Sequence, residues 1–231
     1  MPTDVSLIAL LAFATLLPFL IASGTCYIKF SIVFIMMRNA MGLQQVPSNM
    51  TLNGIALLLS LFVMAPVAQQ AYEHYSSEGG RIHSVESLNR FADEGLGGYR
   101  SYLHKYADPD LVAFFQRAQS ARQYGQEADD DAQSNHAPDD ALDDERPSIL
   151  ALLPAYALSE IKSAFKIAFF LYVPFVVVDL LISSILLALG MMMMSPVTIS
   201  VPVKLLLFVA LDGWTLLSKG LVSQYLDMAG S

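Results

Sequence analysis

The sequence predicts an all-α membrane protein in which two long, bent helical hairpins flank a small polar helical segment. Three observations support this: 55% of the 231 residues are hydrophobic, only 15% are charged, and most acidic residues lie in one block. A composition this apolar is atypical of a soluble domain. We therefore divide the chain into an N-terminal hairpin over 1–72, an acidic region over 73–147 and a C-terminal hairpin over 148–231.

Three apolar segments are long enough to cross a bilayer, since a span needs roughly 20 residues. A fourth is marginal because Lys204 and Asp212 lie inside it. Proline in or beside each segment removes a helical hydrogen bond and predicts bends. The segments are 5–23, 52–72, 167–189 and 197–217, and the prolines are Pro18, Pro66, Pro174, Pro196 and Pro202.

The polar region holds most of the charge. It contains 16 of the 21 acidic residues, between Glu73 and Glu145, and 7 basic residues, between Arg81 and Arg146, so 7 minus 16 leaves a net charge of −9. Nucleic-acid binding requires a basic face, and this region has the opposite sign. Asp108-Pro109-Asp110 predicts a helix start, with aspartate as the N-cap and proline at the first helical position.

Two further features of the polar region are predicted to interrupt helices. Gly95, Gly97 and Gly98 should break an earlier helix. Residues 126–147 hold nine acids and one arginine, a composition that predicts a disordered loop. Cation binding is the alternative for this loop, but its acidic runs lack the spacing of an EF-hand.

The distribution of basic residues predicts the topology, because they favour the cytoplasmic side. Lys29 and Arg38 place the loop between the first two segments inside the cell, and the acidic region then lies outside. Lys162 and Lys166 fit this less well, because they flank the third segment on its outer side. The N-terminus lacks the basic residues of a signal peptide, so the first segment is expected to be retained, with cleavage near 22–24 as the alternative.

Charged residues inside the apolar segments must avoid lipid, because a central charge costs at least about 2.5–3.5 kcal/mol. The residues concerned are Asp179, Lys204 and Asp212, which form a candidate buried charge network. One interpretation is an internal ion pair between packed helices, for example Asp179 with Lys204. The other is that these side chains line an aqueous path.

Nothing in the sequence indicates an enzyme, a cofactor or a metal site. The single cysteine, Cys26, excludes an intrachain disulfide, and the four histidines lack metal-ligand spacing. We find no nucleophile elbow and no phosphate-binding glycine loop. No supporting motif surrounds Asp179 or Asp212, which argues against an aspartyl-protease pair.

The stretch 188-ALGMMMMSPVTIS-200 contains four consecutive methionines, Met191, Met192, Met193 and Met194. Gly190 and Pro196 make an unbroken helix through 191–196 unfavourable. Methionine is flexible and fills irregular gaps. The loop could therefore pack between helices of its own chain, or it could join loops of other copies in an apolar gasket that blocks ions and yields to a passing chain.

Both apolar halves of the chain resemble the FliP/SctR family, the core membrane component of flagellar and type III secretion export gates. The runs that carry the resemblance occur in the family's order and are RNAMGLQQVPSN, PFVVVD and KLLLFVALDGW. The C-terminal LDGWTLLSKGLVSQYLDMA looks most like SpaP-type members from invasion injectisomes.

The resemblance implies a non-enzymatic pore subunit in the bacterial inner membrane, with residues 73–147 in the periplasm. Family members form a ring, usually a pentamer, with SctS-like and SctT-like partners and neighbouring SctU-like and SctV-like gate proteins. Unfolded secreted polypeptides pass through this entry pore, and the family's methionine loop, which maps onto Met191–Met194, seals it at rest.

Two other functions remain open from the residues alone. A small-solute or ion-coupled transporter could use Asp179 as its coupling carboxylate, because broken helices and a midplane acid suit a carrier. The absence of an internal repeat argues against this. In a pure scaffold, the methionines would only fill space between helices.

Overall fold

We describe the protein from a computed structural model, in which residues 21–77, 96–127, 147–191 and 193–226 are described, together with positions 11, 15, 18 and 19. These parts of the chain form helices joined by short loops, and they contain no strand. The predicted segment 5–23 lies largely outside them. The helices, numbered in chain order, are α1 Tyr27–Ala40, α2 Asn49–Ser77, α3 Gly97–Tyr106, α4 Pro109–Glu127, α5 Ile149–Ala188, α6 Val197–Ala210 and α7 Gly213–Ser223.

The predicted all-α membrane class is confirmed. Two helices are long and apolar enough to cross a membrane, α2 over Asn49–Glu73 and α5 over Ile149–Ala188. They contain the predicted span 52–72 and all but the last residue of the predicted span 167–189. The marginal fourth segment is divided between α6 and α7, which are bent by 59° and form a broken span or a re-entrant loop.

Helix α5 is much longer than a bilayer requires. Its 40 residues rise roughly 60 Å, about twice the thickness of the hydrocarbon core. A large part of α5 can therefore lie beyond the core, and Lys162 and Lys166 belong to its N-terminal half. These lysines need not enter lipid, although their position on the predicted outer side still departs from the positive-inside preference.

Three of the five prolines predicted to bend the apolar segments lie inside helices, and Pro196 is the N-cap of α6. Pro66 lies within α2, Pro174 within α5 and Pro202 within α6. Apolar helices tolerate proline where neighbouring groups satisfy the freed backbone carbonyl. The 59° bend instead follows α6, at Leu211 and Asp212, where the sequence has no proline.

The chain forms two compact units, each assembled from two separated stretches. The first contains residues 1–24 and 67–160, and the second contains 25–66 and 161–231. Helices α2 and α5 contribute residues to both units.

The first unit has a tyrosine-rich core. The hydroxyls of Tyr102 and Tyr156 share a short hydrogen bond, and their ring centroids are 5.3 Å apart. Leu103, which follows Tyr102, and Leu152, four residues before Tyr156, are also fully buried. Each tyrosine hydroxyl satisfies the other, so two polar groups can be buried without a desolvation penalty.

The predicted helix start in the polar region is confirmed. Helix α4 begins at Pro109, and the Asp108 carboxylate accepts a hydrogen bond of 3.2 Å from the Asp110 N–H. The Asp108 N–H in turn donates to the Ser159 hydroxyl at 2.7 Å, which ties this cap to α5. The cap therefore satisfies an orphan donor of α4 and anchors the helix locally.

Other predictions for the polar region concern residues that lie partly outside the described chain. Gly97 and Gly98 lie in the first turn of α3, and the helix they were expected to break falls in residues 78–95, outside the described residues. Helix α4 continues through Glu127, so the first two residues of the predicted loop 126–147 are helical. Residues 128–146 also lie outside the described chain.

The core of the second unit is a cluster of Met37, Ala40, Met41, Phe175 and Phe208, with Trp214 packed against it. Two polar pairs add to this packing. One joins α1 to α2, and the other joins the turn before α1 to α2. The Ser31 hydroxyl donates to the Asn53 side chain at 2.7 Å, and the Ser60 hydroxyl donates to the Thr25 hydroxyl at 3.1 Å. These pairs satisfy polar groups that lie among apolar residues.

Two residues build the bend between α6 and α7. Asp212 adopts a left-handed conformation, with φ 50° and ψ 47°, which aspartate tolerates better than most residues. A Cβ on Gly213 would lie 2.1 Å from the ring of Phe208. Trp214 then meets the same ring edge-on, with centroids 5.2 Å apart. The bend therefore depends on close approach of the backbone to Phe208.

Substitution Gly213→Ala should destabilise the second unit by about 1–3 kcal/mol, because the added methyl group overpacks the Phe208 contact. We expect a lower thermal unfolding midpoint in detergent. Gly220→Ala on the same helix is the control, since nothing lies within 4 Å of the Cβ it would add. That change should be neutral or stabilise the helix by up to about 1 kcal/mol. Equal effects at both positions would show that the contact does not hold the bend.

Tyr99 should make the first unit sensitive to alkaline pH. Burial raises the pKa of its hydroxyl from 10.0 to about 12, and the hydroxyl donates to the Gly24 carbonyl at 2.9 Å. The unfolded chain ionises first, so this stabilisation is complete below pH 10 and is lost as pH rises towards 12. The loss should be at most about 3 kcal/mol.

The measurement is the thermal unfolding midpoint in detergent across this pH range. Tyr99→Phe should lose about 1 kcal/mol at neutral pH, with the hydrogen bond, and fall less steeply in alkali. Tyr72→Phe is the control, because Tyr72 is 71% exposed. An identical alkaline slope in wild type and Tyr99→Phe would contradict the assignment.

Candidate functional site

The methionine loop connects the end of α5 to the start of α6. Gly190 ends α5 with a φ of +76°. The Met191 N–H donates to the Leu186 carbonyl at 2.9 Å, and the Gly190 N–H donates to the Leu187 carbonyl at 3.0 Å. These two bonds form a Schellman motif, which glycine favours because it has no Cβ. The start of the loop is therefore held by backbone hydrogen bonds.

The far end of the loop is ordered by the start of α6. The Ser200 N–H donates to the Pro196 carbonyl at 2.9 Å, and the Thr198 hydroxyl donates to the Ser195 carbonyl at 2.7 Å. The described residues between Gly190 and Pro196 are not in an α-helix, as Gly190 and Pro196 predicted. The loop is thus a short connection between two ordered helix ends.

The described methionines of the loop point away from the rest of the chain. Met193 is fully exposed at 103%, while Met191 and Met194 are 42% and 45% exposed. Met192 lies outside the described residues. Exposed apolar side chains favour burial by about 25 cal/mol per Å². The chain does not bury these side chains itself, so their burial requires lipid or another polypeptide.

One buried ion pair lies in the second unit. The Lys204 ammonium donates to Asp179 Oδ2 at 2.5 Å and to the Ala40 carbonyl at 3.3 Å. Lys204 is 5% exposed, whereas the side chain of Asp179 is 45% exposed. The contacts join the end of α1 to α5 and α6. A buried ammonium with both a carboxylate and a carbonyl acceptor has much of its lost hydration replaced.

The helical register explains why these two residues meet. Phe175 and Phe208 pack in one cluster, Asp179 follows Phe175 by four residues, and Lys204 precedes Phe208 by four. A shift of four residues keeps a side chain on the same helix face, one turn away. Because the two helices run antiparallel, moving forward from Phe175 to Asp179 and backward from Phe208 to Lys204 goes in the same direction in space. The pair therefore lies one turn from the aromatic contact.

Asp212 is not brought into this pair. It lies eight residues beyond Lys204, roughly 12 Å along a helix, and it is exposed at the bend. Its carboxylate accepts a hydrogen bond of 3.0 Å from the Thr215 hydroxyl. Of the three charges proposed as a network, the described structure joins Asp179 and Lys204 and leaves Asp212 as a local support for α7.

Sequence reasoning missed one partner of the site, the carbonyl of Ala40. Every residue carries such a group, so no sequence pattern identifies it. Because Ala40 is the last residue of α1, its carbonyl has no helical partner and can accept from Lys204.

The second unit also contains an apolar cavity of about 400 Å³, lined by side chains that include Leu171, Phe175, Phe208 and Leu217. Among the described residues, no group of three or more histidines, cysteines or acids could hold a metal ion.

Comparison with known proteins identifies the family. The model of the FliP family matches residues 10–221. The chain belongs to the FliP family. It is 66% identical over 229 residues to surface presentation of antigens protein SpaP of Salmonella typhimurium, covering 99% of this chain and 100% of that protein. It is 59% identical over 228 residues to SpaP of Shigella flexneri, covering 99% of each.

A more distant relative extends the similarity. The chain is 42% identical over 228 residues to Yop proteins translocation protein R of Yersinia pestis, covering 97% of this chain and 98% of that protein. The resemblance drawn from RNAMGLQQVPSN, PFVVVD and KLLLFVALDGW is therefore confirmed. This FliP-family chain is a membrane component of the type III secretion export apparatus.

The ion pair should respond asymmetrically to substitution. Asp179→Ala leaves the buried Lys204 ammonium without its carboxylate and should cost about 3–5 kcal/mol. Lys204→Met should cost less, because methionine suits the buried position of Lys204 and the uncompensated charge is left on Asp179, whose side chain is 45% exposed. The measurement is the unfolding free energy of the purified chain in detergent.

The double variant Asp179→Ala with Lys204→Met provides the control. It removes both charges and should be more stable than Asp179→Ala alone, giving a coupling energy in the double-mutant cycle. Strict additivity of the two single substitutions would show that the pair contributes no coupling.

Proposed function

We propose that this FliP-family protein is a pore-forming subunit of the type III export gate. Copies of the chain form a ring, a pentamer by the family resemblance, and their methionine loops meet on its axis. The ring is the entry through which unfolded polypeptides leave the cytoplasm. The observation that carries this proposal is the loop after α5, where Met191, Met193 and Met194 are exposed between two ordered helix ends.

The physical argument begins with the geometry of one loop. A single loop of four methionines cannot close an opening, but several around an axis present a continuous apolar constriction. Such a constriction blocks ions by excluding water. Methionine has three rotatable bonds and a polarizable sulfur, so the same constriction can adapt to an unfolded chain of varying side chains.

The membrane arrangement supports the same function. We place the protein in the bacterial inner membrane, with the loop containing Lys29 and Arg38 on the cytoplasmic side and residues 73–147 in the periplasm. The 40-residue α5 can extend beyond the bilayer, which supports an assembly partly raised above the membrane.

The proposed partners follow from family membership. SctS-like and SctT-like proteins complete the ring, and SctU-like and SctV-like proteins pass substrates to it. Exposed apolar residues on the candidate spans, such as Phe169, Phe170 and Leu206, offer surface for lipid or for these partners. Membership of an export-apparatus family also supports a non-enzymatic role.

The contacts of Asp179 do not support the alternative function as a small-solute or ion-coupled transporter. A coupling carboxylate must exchange its ion or proton during transport, whereas Asp179 is held by the Lys204 ammonium at 2.5 Å. This arrangement supports a structural role for the pair. No observation on the described chain favours a carrier over the export gate.

Replacing all four methionines, Met191 to Met194, by glycine should let the assembled ring conduct ions at rest. The glycines remove the apolar side chains that exclude water, and they leave the α5 Schellman motif in place because its hydrogen bonds come from the backbone. The measurement is single-channel or vesicle ion flux through the purified assembly. Unchanged conductance in a properly assembled variant would contradict the gasket.

Two matched experiments separate a gasket from local packing. Met50→Gly is a control, since Met50 is 87% exposed but lies outside the loop, and it should not open a leak. A photoreactive residue at position 192 should crosslink to other copies at rest and to a stalled substrate in transit. Crosslinks confined to the same chain in both states would favour the scaffold.

A further inference from the structure

Arg38 is a buried cation without an acidic partner in the described parts of the chain. It lies in the last turn of α1 and is 7% exposed. Its Nη1 donates to the Pro47 carbonyl at 3.0 Å, while its Nε is buried without an acceptor. The guanidinium stays charged at any physiological pH. An almost fully buried charge with one neutral acceptor leaves most of its lost hydration uncompensated.

The contact with Pro47 fixes the depth of this guanidinium. Pro47 lies two residues before Asn49, where α2 and its candidate span Asn49–Glu73 begin. The start of a span lies at the edge of the hydrocarbon core, where lipid headgroups are found. Arg38 is therefore held beside the start of this candidate span.

The start of α2 adds a second positive feature at the same place. The first N–H groups of a helix lack intrahelical acceptors and carry the positive end of its dipole. The Ser48 hydroxyl accepts from the Thr51 N–H at 3.2 Å, and the first turn of α2 has no acidic residue. A helix N-terminus beside a buried guanidinium is suited to an anion with several oxygens.

Two apolar residues near this positive centre in the sequence are exposed, and they lie among the exposed polar residues Gln44, Gln45, Ser48 and Asn49. Val46 is 73% exposed and Met50 is 87% exposed, on either side of Pro47 in the sequence. A free phosphate ion would leave both side chains in water. A phospholipid would satisfy both features, because its phosphate meets the guanidinium and its acyl chains cover the apolar side chains.

We propose that Arg38, the N-terminus of α2 and the apolar side chains of Val46 and Met50 form a binding site for an anionic phospholipid. The lipid phosphate accepts hydrogen bonds from the guanidinium, and its acyl chains lie against the start of α2. Arginine suits this role better than lysine because its planar donors can bind phosphate through two parallel hydrogen bonds. The site goes beyond the proposed gate and does not depend on it.

The single tryptophan of the chain offers a test that uses the native sequence. The Trp214 ring centroid lies 6.2 Å from that of Phe34, and Phe34 is four residues before Arg38 on α1, roughly 6 Å along the helix. Brominated acyl chains quench tryptophan fluorescence at short range. The full chain is reconstituted in phosphatidylcholine vesicles that contain a minor fraction of brominated phosphatidylglycerol or brominated phosphatidylcholine.

We expect brominated phosphatidylglycerol to occupy the site about tenfold more readily than brominated phosphatidylcholine, as a charge-assisted contact would give. Arg38→Gln should abolish this preference, and Arg38→Lys should reduce it. Lys219→Gln removes a positive charge from the same unit at an exposed position and should leave the preference unchanged. Equal quenching by both lipids in the wild type would overturn the proposal without any variant.

Two outcomes would overturn the lipid assignment. If inorganic phosphate at millimolar concentration abolishes the preference, the site takes a free anion and the lipid assignment is wrong. Native mass spectrometry of the assembled apparatus tests the second case. Anionic lipid should remain bound to the wild-type assembly and be lost from Arg38→Gln. If neither assembly retains it, the proposal fails.

Discussion

The buried ammonium of Lys204 is the constraint on which the second unit depends. A lysine in an apolar helix must find acceptors inside the protein, because hydrocarbon offers none. Asp179 supplies the carboxylate at 2.5 Å, and Ala40 supplies a carbonyl at 3.3 Å. These contacts set the register of α5 against α6 and bring the end of α1 to both. The ion pair therefore stabilises the packing of α5 against α6, the two helices that flank the methionine loop.

The same register determines how the loop is presented. Gly190 ends α5 through backbone hydrogen bonds, so the direction of the loop does not depend on its own side chains. The Met193 side chain is fully exposed in this arrangement. Exposure of this apolar side chain to water would be unfavourable for an isolated chain. An arrangement of this kind is stable when lipid or neighbouring subunits cover the side chains. The exposed loop and the apolar helices are thus consistent with a protein that completes its fold in a membrane assembly.

Polar groups within the apolar helices are of two kinds. Some are satisfied locally, as in the Ser31 contact with Asn53 and the Ser60 contact with Thr25, and others have a buried donor without an acceptor on the described chain. Arg38 belongs to the second kind, because its Nε is buried without an acceptor. The difference is physical: a hydroxyl needs one partner, whereas a guanidinium has five N–H donors and a full charge.

Several elements could be predicted because their causes are local. The proline after Asp108 starts α4, Gly190 ends α5, and the apolar lengths of 52–72 and 167–189 predict membrane helices. The specific runs of sequence also identified the family. The pairing of Asp179 with Lys204 remained one of two interpretations, because helix periodicity gives the face of a residue but not its partner. For the same reason Asp212 was grouped with them, although it lies at a bend that no proline marks.

The sequence by itself determined the helical membrane class, the order of its elements and its family, since composition, capping residues and short motifs act over a few neighbours. Only the tertiary structure decided which charges meet, where the bend falls and that the Nε of Arg38 is buried without an acceptor. The bend arises because Asp212 adopts a left-handed conformation and Gly213 allows the backbone to approach Phe208. The Lys204 contacts join residues 25 and 164 positions apart along the chain. Such contacts depend on how whole helices pack, and no local pattern encodes that packing.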